Sequence, residues 1–268
     1  MSFPAPAPDS FALITGASQG IGEAVARQLA AEGHNLILAA RRQDVLQQLG
    51  DELSLTHGVD IEIFAGDLSK QRDVDALIRH IGNRTISICV NSAGIASFGP
   101  FMAQDWEYET NQFNLNATAV FRITKAVLDQ MVPRGEGALC NVGSAAGNLP
   151  IPNNATYVFT KAGVNMFTEA LHYELKDSGV HVTLLAPGPV REAEIPEEEQ
   201  TIVDKVVPDF LWTTYESCAA ETIRAMKANR RRIVPGPLSK AMDVVSNYAP
   251  RGWLPPIMGK FYAQMGEE

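Results

Sequence analysis

The sequence predicts an α/β fold with one doubly wound, parallel sheet and a C-terminal extension. Three observations lead to this fold class. Between residues 11 and 187, short apolar runs alternate with longer segments of helical period. Most of these runs are continuously apolar, as expected for strands that helices cover on both faces. No linker or change in composition divides the 268 residues, so we expect a single domain over residues 1–268.

Six apolar runs predict the strands of this sheet, and longer segments between them predict helices. The strands are expected at Phe11–Thr15, Leu36–Ala40, Ile61–Ala65, Ile86–Asn91, Ala138–Val142 and Val180–Leu185. The helices are expected at Ile21–Glu32, Gln43–Leu55, Trp106–Met131 and Ala155–Lys176. Because helices alternate with strands along the chain, the connections should be right-handed crossovers.

The alternation ends near residue 189, and the segments that follow predict a less regular structure. Arg191–Gln200 is acidic and contains a proline, which favours a loop or a short mobile helix. After it we expect a helix over Glu216–Asn229 and an edge strand over Arg232–Val234.

The composition argues against several classes of protein. A net charge of -9 is unfavourable for nucleic-acid binding, because phosphates need a basic surface. Three widely spaced cysteines and five histidines without ligand spacing predict neither a disulfide framework nor a metal site. The first residues lack the pattern of a secretory signal, and no apolar run reaches the roughly 18 residues of a membrane span. These features predict a soluble, cytoplasmic protein.

A glycine-rich turn with the sequence TGASQGIG joins the first strand to the first helix. Gly16 permits a tight turn, Gly20 lets the backbone approach a diphosphate, and Gly22 allows close packing of the helix on the strand. The free N–H groups of the helix N-terminus favour an anion. This context predicts a Rossmann-type dinucleotide site, although glycines can also serve a tight turn alone. The expected contacts are Gly16, Ser18, Gln19, Gly20, Ile21 and Gly22.

Two arginines stand where a cofactor-binding fold meets the adenosine ribose. Arg41 and Arg42 follow the second strand, at the point where an NAD enzyme typically has an acidic residue for the 2′-hydroxyl. A guanidinium instead binds a 2′-phosphate through several N–H donors. We therefore expect NADP(H) as the cofactor, with Arg41 as the main phosphate ligand and Arg42 as a helper. The alternative is that both arginines are simply solvated at the start of a helix.

Two further segments follow strands and can complete the cofactor site. Asp67 and Leu68 follow the third strand, and Asp67 can accept the adenine amino group. Asn91, Ala93 and Gly94, within the sequence NSAG, follow the fourth strand, where small residues let a ribose pass close to the backbone. Ligands bind at the carboxyl ends of the strands in such sheets. Each segment alone is also typical of an ordinary loop.

Ser144, Tyr157 and Lys161 form the predicted catalytic group. Tyr157 and Lys161 are four residues apart on one helix, so they lie on the same face. The ammonium should lower the pKa of the phenol from about 10, so that Tyr157 can give a proton to a carbonyl oxygen as hydride reaches the carbon. Ser144 would donate a hydrogen bond to the same oxygen. This pattern predicts reduction of a ketone to an alcohol, whereas Tyr-xxx-Lys alone is common on helix surfaces.

With these motifs in order, the chain resembles the classical short-chain dehydrogenases/reductases. The motifs between Phe11 and Val190 are TGASQGIG, NSAG, Asn116, Ser144, YVFTK and PGPV. The resemblance implies that Asn116 positions a water linking Lys161 to solvent, and that Lys161 contacts the nicotinamide ribose. It also implies that Pro187, Gly188 and Val190 border the nicotinamide, and that the protein is a homodimer or homotetramer.

The chain departs from the family pattern at two points. NSAG replaces the commoner NNAG, and Arg191 and Glu192 stand where a threonine often follows PGPV. The second change puts the usual hydroxyl contact to the nicotinamide carboxamide in doubt. We expect residues 1–190 to form the cofactor-binding and catalytic core, and residues 191–268 to form the substrate loop and C-terminal extension.

Within this family, the sequence is similar to the mycolate reductases, which act on the β-keto lipid formed when two long acyl chains condense. The similar stretches are PAPAP, SAAGNLPIPNNATY, VVPDFLW, RRRIVPGPLSKAM and NYAPRGWLPPIMGKFY. The similarity implies a lipid-like ketone substrate. An apolar mouth is expected from Phe98, Phe101, Phe210, Leu211, Trp212, Trp253, Leu254, Ile257, Met258, Phe261 and Tyr262. The same residues are also suited to packing the C-terminal tail, filling an oligomer interface or touching a lipid surface peripherally.

Two other functions are compatible with the sequence. A general 3-oxoacyl reductase or a hydroxysteroid-type dehydrogenase would have the same catalytic residues. A non-catalytic NADP(H)-sensing protein would keep the fold without turnover, although it would not need Tyr157 as a proton donor. The sequence identifies neither the exact ketone nor its carrier.

Overall fold

A parallel seven-stranded sheet forms the centre of the protein. The computed structural model describes residues 2–192 and 212–248. Its strands are β1 (Ser10–Thr15), β2 (Asn35–Ala40), β3 (Ile61–Ala65), β4 (Thr85–Asn91), β5 (Gly137–Val142), β6 (Val180–Leu185), β7 (Val190–Arg191), β8 (Thr213–Thr214) and β9 (Arg232–Ile233). The sheet order is β3-β2-β1-β4-β5-β6-β9, with every neighbouring pair parallel. The predicted fold class is confirmed, because this is the Rossmann-type order.

Helices follow most of the strands and cover both faces of the sheet. They are α1 (Gly20–Ala31), α2 (Gln43–His57), α3 (Gln71–Gly82), α4 (Trp106–Phe113), α5 (Val120–Arg134), α6 (Ala155–Glu174), α7 (Tyr215–Lys227) and α8 (Pro237–Tyr248). A π-helical turn at Asn114–Ala119 divides the helix that was predicted over Trp106–Met131 into α4 and α5. Two 3-10 turns lie at Phe101–Ala103 and Ala145–Asn148.

The strands are buried on both faces, as their apolar runs predict. In β1, Ala12 and Ile14 pack in the core shared with α1, α2 and α7, whereas Leu13 packs in the core shared with α3 and α5. All three side chains have no exposed surface. Burying this much apolar area on two sides is what holds the parallel sheet between its helices.

A small parallel ribbon lies outside the main sheet. Val190 pairs with Thr213 and Arg191 pairs with Thr214, which joins β7 to β8. The Arg191 guanidinium lies 4.7 Å from the centre of the Trp212 ring, within the range of a cation–π contact. The prediction of a loop or short mobile helix over Arg191–Gln200 was therefore wrong for Arg191, which belongs to strand β7. Residues 193–200 of that segment lie outside the described residues.

Several expectations about individual residues can be compared with the structure. Cys89 and Cys140 are completely buried, as their apolar surroundings predict. For Trp106 and Tyr108, at the start of a predicted long helix, the sequence favours core or interface packing; they are 75% and 42% exposed, so neither packs in the core. Across residues 2–192 and 212–248, no helix is both long enough and apolar enough to cross a lipid bilayer.

Candidate active site

A cleft of about 430 Å³ opens at the carboxyl ends of the strands, beside the point where the strand order reverses between β1 and β4. Sixteen of the predicted site residues line this cleft. They are Gly16, Ser18, Gln19, Gly20, Ile21, Arg41, Arg42, Asp67, Leu68, Ala93, Gly94, Tyr157, Lys161, Pro187, Gly188 and Val190. Gly22, Asn91, Asn116 and Ser144 are not among the lining residues.

The glycine turn has the geometry of a cradle for a dinucleotide. Gly16 has a φ of +70°, and a Cβ there would lie 2.8 Å from the backbone of Ala93. A Cβ at Gly22 would lie 2.3 Å from the carbonyl oxygen of Gly16, so this glycine shapes the turn from behind. The side chain of Gln19, the residue before α1, makes no capping hydrogen bond to the first N–H groups of the helix. Those donors and the positive end of the helix are suited to an anion.

Tyr215 is a lining residue that the sequence analysis missed. It begins α7, about 200 residues after the glycine turn, and its ring lies 3.4 Å from where a Cβ of Gly20 would be. Burial and the negative charge of Glu192 raise the pKa of the Tyr215 hydroxyl. No sequence motif marks this residue, because it reaches the cleft only through the packing of α7 on α1.

The two arginines after β2 differ in how they are held. Arg42 donates through Nη2 to the Ser18 carbonyl at 3.0 Å, to Ser18 Oγ at 3.1 Å and to Gln19 Oε1 at 2.6 Å. Among the described residues, the exposed Arg41 side chain has no hydrogen-bond partner. Arg42 therefore braces the glycine turn, and Arg41 has its donors available at the edge of the cleft.

The segments after β3 and β4 meet the predictions only in part. Asp67 lines the cleft, with Oδ1 accepting a hydrogen bond from the Ser69 N–H at 3.0 Å. Asn91 is turned into the interior, where its Nδ2 donates to Asn141 Oδ1 at 2.9 Å and to Thr124 Oγ1 at 3.2 Å. The Asn91 side chain therefore joins β4, β5 and α5, and the cofactor contact predicted for residue 91 stays a prediction.

Ser144, Tyr157 and Lys161 come together at the inner end of the cleft. The Ser144 side chain lies close enough to that of Tyr157 to favour the ionised form of the phenol. Lys161 is 5% exposed, and its Nζ donates to the Val142 carbonyl at 2.8 Å and lies 5.7 Å from the centre of the Tyr157 ring. The Ala146 N–H donates to Ser144 Oγ at 3.1 Å, which orients the hydroxyl and leaves its own proton to be donated.

Burial controls the acidity of both titratable groups. It raises the pKa of Tyr157 above its usual value, and the nearby Ser144 side chain opposes this only in part. Burial also lowers the pKa of Lys161 from 10.5 to about 8. The expectation that the ammonium would lower the pKa of the phenol was wrong for this structure, because desolvation of the phenolate is the larger effect.

Asn116 lies next to Lys161 within the π-helical turn. Its Nδ2 donates to the Ile95 carbonyl at 2.8 Å and to Thr160 Oγ1 at 3.3 Å, and its Oδ1 accepts from the Ile95 N–H at 3.0 Å. A Cβ at Gly94 would lie 3.2 Å from Asn116 Oδ1 and 3.5 Å from Lys161 Nζ. The amide thus fixes the segment after β4 against α6, and its part in a proton relay stays a prediction.

The predicted apolar mouth is described only at three of its residues. Phe98, Phe101 and Trp212 do not line the cleft, and Phe101 is half exposed. Phe210, Leu211, Trp253, Leu254, Ile257, Met258, Phe261 and Tyr262 lie outside the described residues. The described part of the mouth therefore does not support a preformed apolar lining at the cleft.

Comparison with known proteins identifies the family. The short chain dehydrogenase family matches residues 10–201, which is well over half of the chain. The chain therefore belongs to this family of oxidoreductases, whose fold it has.

Two curated relatives and one solved structure give more detail. The chain is 33% identical over 181 residues to the very-long-chain 3-oxoacyl-CoA reductase of Bos taurus, covering 66% of this chain and 58% of that protein. It is 36% identical over 222 residues to a sulfoacetaldehyde reductase of Chromohalobacter salexigens, covering 78% and 83%. A short-chain dehydrogenase from Sphingobium yanoikuyae, solved in complex with NADPH, has a TM-score of 0.76 at 26% identity, covering 97% and 96%. The chain thus spans little more than half the length of the bovine enzyme.

Proposed function

We propose that this protein is an NADPH-dependent reductase that converts a ketone to a secondary alcohol. The observation that carries the proposal is the position of Tyr157 and the buried Lys161 on one face of α6, which packs directly against the turn that carries Ser144. A sensing protein would need the cleft but not a proton donor with this arrangement.

The residues provide a proton and orient a carbonyl oxygen. A bound nicotinamide cofactor supplies the hydride. Because its pKa is raised, Tyr157 keeps its proton at neutral pH and can donate it to the carbonyl oxygen as the alcohol forms. Ser144 donates a hydrogen bond to the same oxygen and stabilises the developing charge. Lys161, with a pKa of about 8, holds a proton at neutral pH yet releases it more readily than an exposed lysine.

Preference for NADPH is supported by the chain's own residues. The uncapped start of α1 is suited to the diphosphate, and Arg41 is positioned at the edge of the cleft with no competing partner among the described residues. The NADPH complex of the Sphingobium yanoikuyae relative is consistent with the same choice. The proposal assigns the 2′-phosphate to Arg41 and not to Arg42.

For the substrate, we propose the β-keto group of a long-chain lipid of the mycolate-precursor type. The sequence similarities to mycolate reductases support this branch. The bovine relative, a 3-oxoacyl-CoA reductase by name, supports the broader alternative of a general 3-oxoacyl reductase. The two are distinguished with 3-oxoacyl thioesters that carry or lack a long alkyl branch at C2. Faster reduction of the branched compound supports a mycolate precursor, and indifference to the branch supports the general enzyme.

The reaction is tested by replacing Tyr157 with Phe. We expect kcat for reduction of a 3-oxoacyl thioester to fall by about 10²–10⁴-fold, because the proton donor is lost, while NADPH still binds with unchanged Kd. Tyr173→Phe, which alters an exposed tyrosine on the same helix, is the matched control. Retained turnover in Tyr157→Phe, or higher kcat/KM with NADH than with NADPH in the unchanged protein, would contradict the proposal.

We also propose that the protein is a homo-oligomer that buries an apolar face of α6. Phe159, Met166 and Tyr173 are spaced by seven residues on this helix, and each is 59–65% exposed. The Phe159 ring stacks on Phe113 of α4 with 5.5 Å between ring centres, which extends the face to a second helix. Contiguous exposed apolar surface of this kind favours association with another copy.

A further inference from the structure

The turn that carries Ser144 is built of small residues and lies directly against α6. A Cβ at Gly143 would lie 1.9 Å from Asn165 Oδ1, and a Cβ at Gly147 would lie 2.7 Å from the backbone carbon of Lys161. Neither position has space for a side chain. The turn and the helix are therefore in backbone contact, with Asn165 between them.

Asn165 holds the backbone of Ser144 on both sides. The Ser144 N–H donates to Asn165 Oδ1 at 3.2 Å, and Asn165 Nδ2 donates to the Ser144 carbonyl at 2.8 Å. Asn165 has no exposed surface, so water does not compete for these bonds. Buried backbone groups need partners, and a single side-chain amide supplies one for the N–H and one for the carbonyl of Ser144.

This backbone clamp also determines where the Ser144 hydroxyl lies. Ser144 is extended, with φ −166° and ψ 150°, and its Oγ accepts from the Ala146 N–H. Tyr157, Lys161 and Asn165 follow one another at intervals of four residues on α6, so they share one face of the helix. The same helix face therefore carries the proton donor, the lysine and the residue that fixes the hydroxyl of Ser144.

We propose that Asn165 is a positioning residue for carbonyl reduction. It aligns the Ser144 hydroxyl with Tyr157 by holding the backbone N–H and the carbonyl of Ser144. The inference rests on the proposed function, since it concerns the reaction that Ser144 supports. Both polar atoms of the Asn165 side chain are bonded to Ser144 or Asn148, so Asn165 acts through Ser144 and not on the substrate.

A second contact extends this clamp to the C-terminal helix. Asn165 Nδ2 also reaches Asn148 Oδ1 at 3.3 Å, and Asn148 Nδ2 donates to Asp243 Oδ1 on α8 at 2.9 Å. Asp243 in turn pairs with Arg232 of β9, and both side chains are less than one-fifth exposed. The far end of the turn is thus braced by α8 and β9, which keeps the amide of Asn165 aligned with Ser144.

The test is a double-mutant cycle between Asn165→Ala and Ser144→Ala. We expect Asn165→Ala to lower kcat on the order of 10²-fold, the loss typical of a misplaced catalytic group, with the Kd for NADPH unchanged. In the Ser144→Ala background the same substitution should lower kcat by no more than about twofold, because its effect passes through the missing hydroxyl. Equal losses in both backgrounds would overturn the proposal and leave Asn165 a structural residue only.

The matched control is Thr168→Val, one turn further along α6. Thr168 is fully buried and joins α6 to β5 by accepting from Asn141 Nδ2 at 3.0 Å, so its replacement weakens the same helix packing. Whatever loss of kcat it causes should be the same with and without the Ser144 hydroxyl. A loss that vanishes in Ser144→Ala for this control as well would remove the special role of Asn165.

The conservative variant Asn165→Asp and amide hydrogen exchange give two measurements that a change in packing alone would not affect. A protonated carboxyl can donate to the Ser144 carbonyl and accept from the Ser144 N–H, the two bonds that the amide makes with Ser144, so Asn165→Asp should regain kcat relative to the unchanged protein as pH falls. Amide exchange in the peptide containing residues 143–148 should accelerate in Asn165→Ala and not in Thr168→Val. The clamp would be overturned if the kcat of Asn165→Asp relative to the unchanged protein did not vary with pH and if amide exchange of residues 143–148 were unchanged in Asn165→Ala. Faster exchange in a protein that binds NADPH but reduces no ketone would support the clamp and contradict the proposed function.

Discussion

At the scale of single residues, burial sets the chemistry of the cleft more strongly than charge pairing does. Lys161 is 5% exposed and is held by the Val142 carbonyl, an acceptor that carries no full charge. Its pKa falls to about 8 because the ammonium is poorly solvated there. A residue that is costly to bury in its charged form, yet lies beside a phenol, is typical of a site kept for chemistry and not for stability.

The free-energy cost of burying the charged Lys161 side chain predicts that Lys161→Met gains stability in a pH-dependent way. Between pH 8 and 10.5 the unfolded chain holds more protons than the folded one, so the unfolding free energy of the unchanged protein rises with pH across this window. Below about pH 8 the full penalty of about 3 kcal/mol is present. Lys161→Met should therefore exceed the unchanged protein in stability most at pH 6.5 and least at pH 9.5. Urea unfolding at both pH values measures the difference in unfolding free energy between Lys161→Met and the unchanged protein. If this difference did not become smaller from pH 6.5 to pH 9.5, the buried charge would not be its cause.

At the scale of elements, the sequence predicts best those features that one segment encodes by itself. The central strands are recognisable because each is a continuous apolar run, and Tyr157 with Lys161 because four-residue spacing on a helix places them together. Helix α3 was not predicted, although its buried residues Val74, Leu77 and Ile81 have the three- and four-residue spacing of an amphipathic helix. The π-helical turn between α4 and α5 has no comparable signal.

The candidate site also contains residues that a local motif identifies and residues whose roles depend on contacts between separate segments. Asn165 and Tyr215 acquire their roles from contacts between segments far apart in the chain, with Ser144 and with Gly20. The raised pKa of Tyr157 also depends on how deeply the assembled fold buries it. A single sequence carries the residue types for these roles but not the packing that assigns them.

The junction of β2 and α2 predicts different outcomes for its two arginines. Arg41→Ala should lower kcat/KM with NADPH by about 10-fold or more and leave kcat/KM with NADH nearly unchanged, because a charge-assisted phosphate contact is worth about 1.5–3 kcal/mol. Arg42→Ala removes the bonds to Ser18 and Gln19, so it should weaken both cofactors by similar factors. Steady-state kinetics with each cofactor separates the two; an NADPH-selective loss in Arg42→Ala alone would reverse the assignment.

At the scale of the whole molecule, the apolar face of α4 and α6 is the feature that a single chain does not explain. Phe159 is 65% exposed and Met166 is 59% exposed, although both are large apolar side chains on a central helix. The sheet has its own two cores and does not need these side chains for its packing. Their exposure is best understood as an interface with a second copy.

Phe159→Glu is expected to shift the assembly toward the monomer. A buried carboxylate without a partner is strongly unfavourable at an interface, so light scattering coupled to gel filtration should report the mass of one chain where the unchanged protein gives a multiple. Leu55→Glu is the control, because Leu55 is 89% exposed and lies on α2, away from this face. An unchanged assembly in Phe159→Glu, or dissociation in both variants, would contradict an interface at α6.

The ribbon of β7 and β8 has an evolutionary consequence. Because β7 pairs with β8, the two ends of the interval between Arg191 and Thr213 lie side by side, next to Val190 and Tyr215 in the cleft. Insertions and deletions inside such an interval change its closure entropy only slowly with length. Descendants of this chain can therefore lengthen, shorten or rewrite that interval at little cost in stability, while the glycine turn and the Tyr157–Lys161 pair are inherited unaltered.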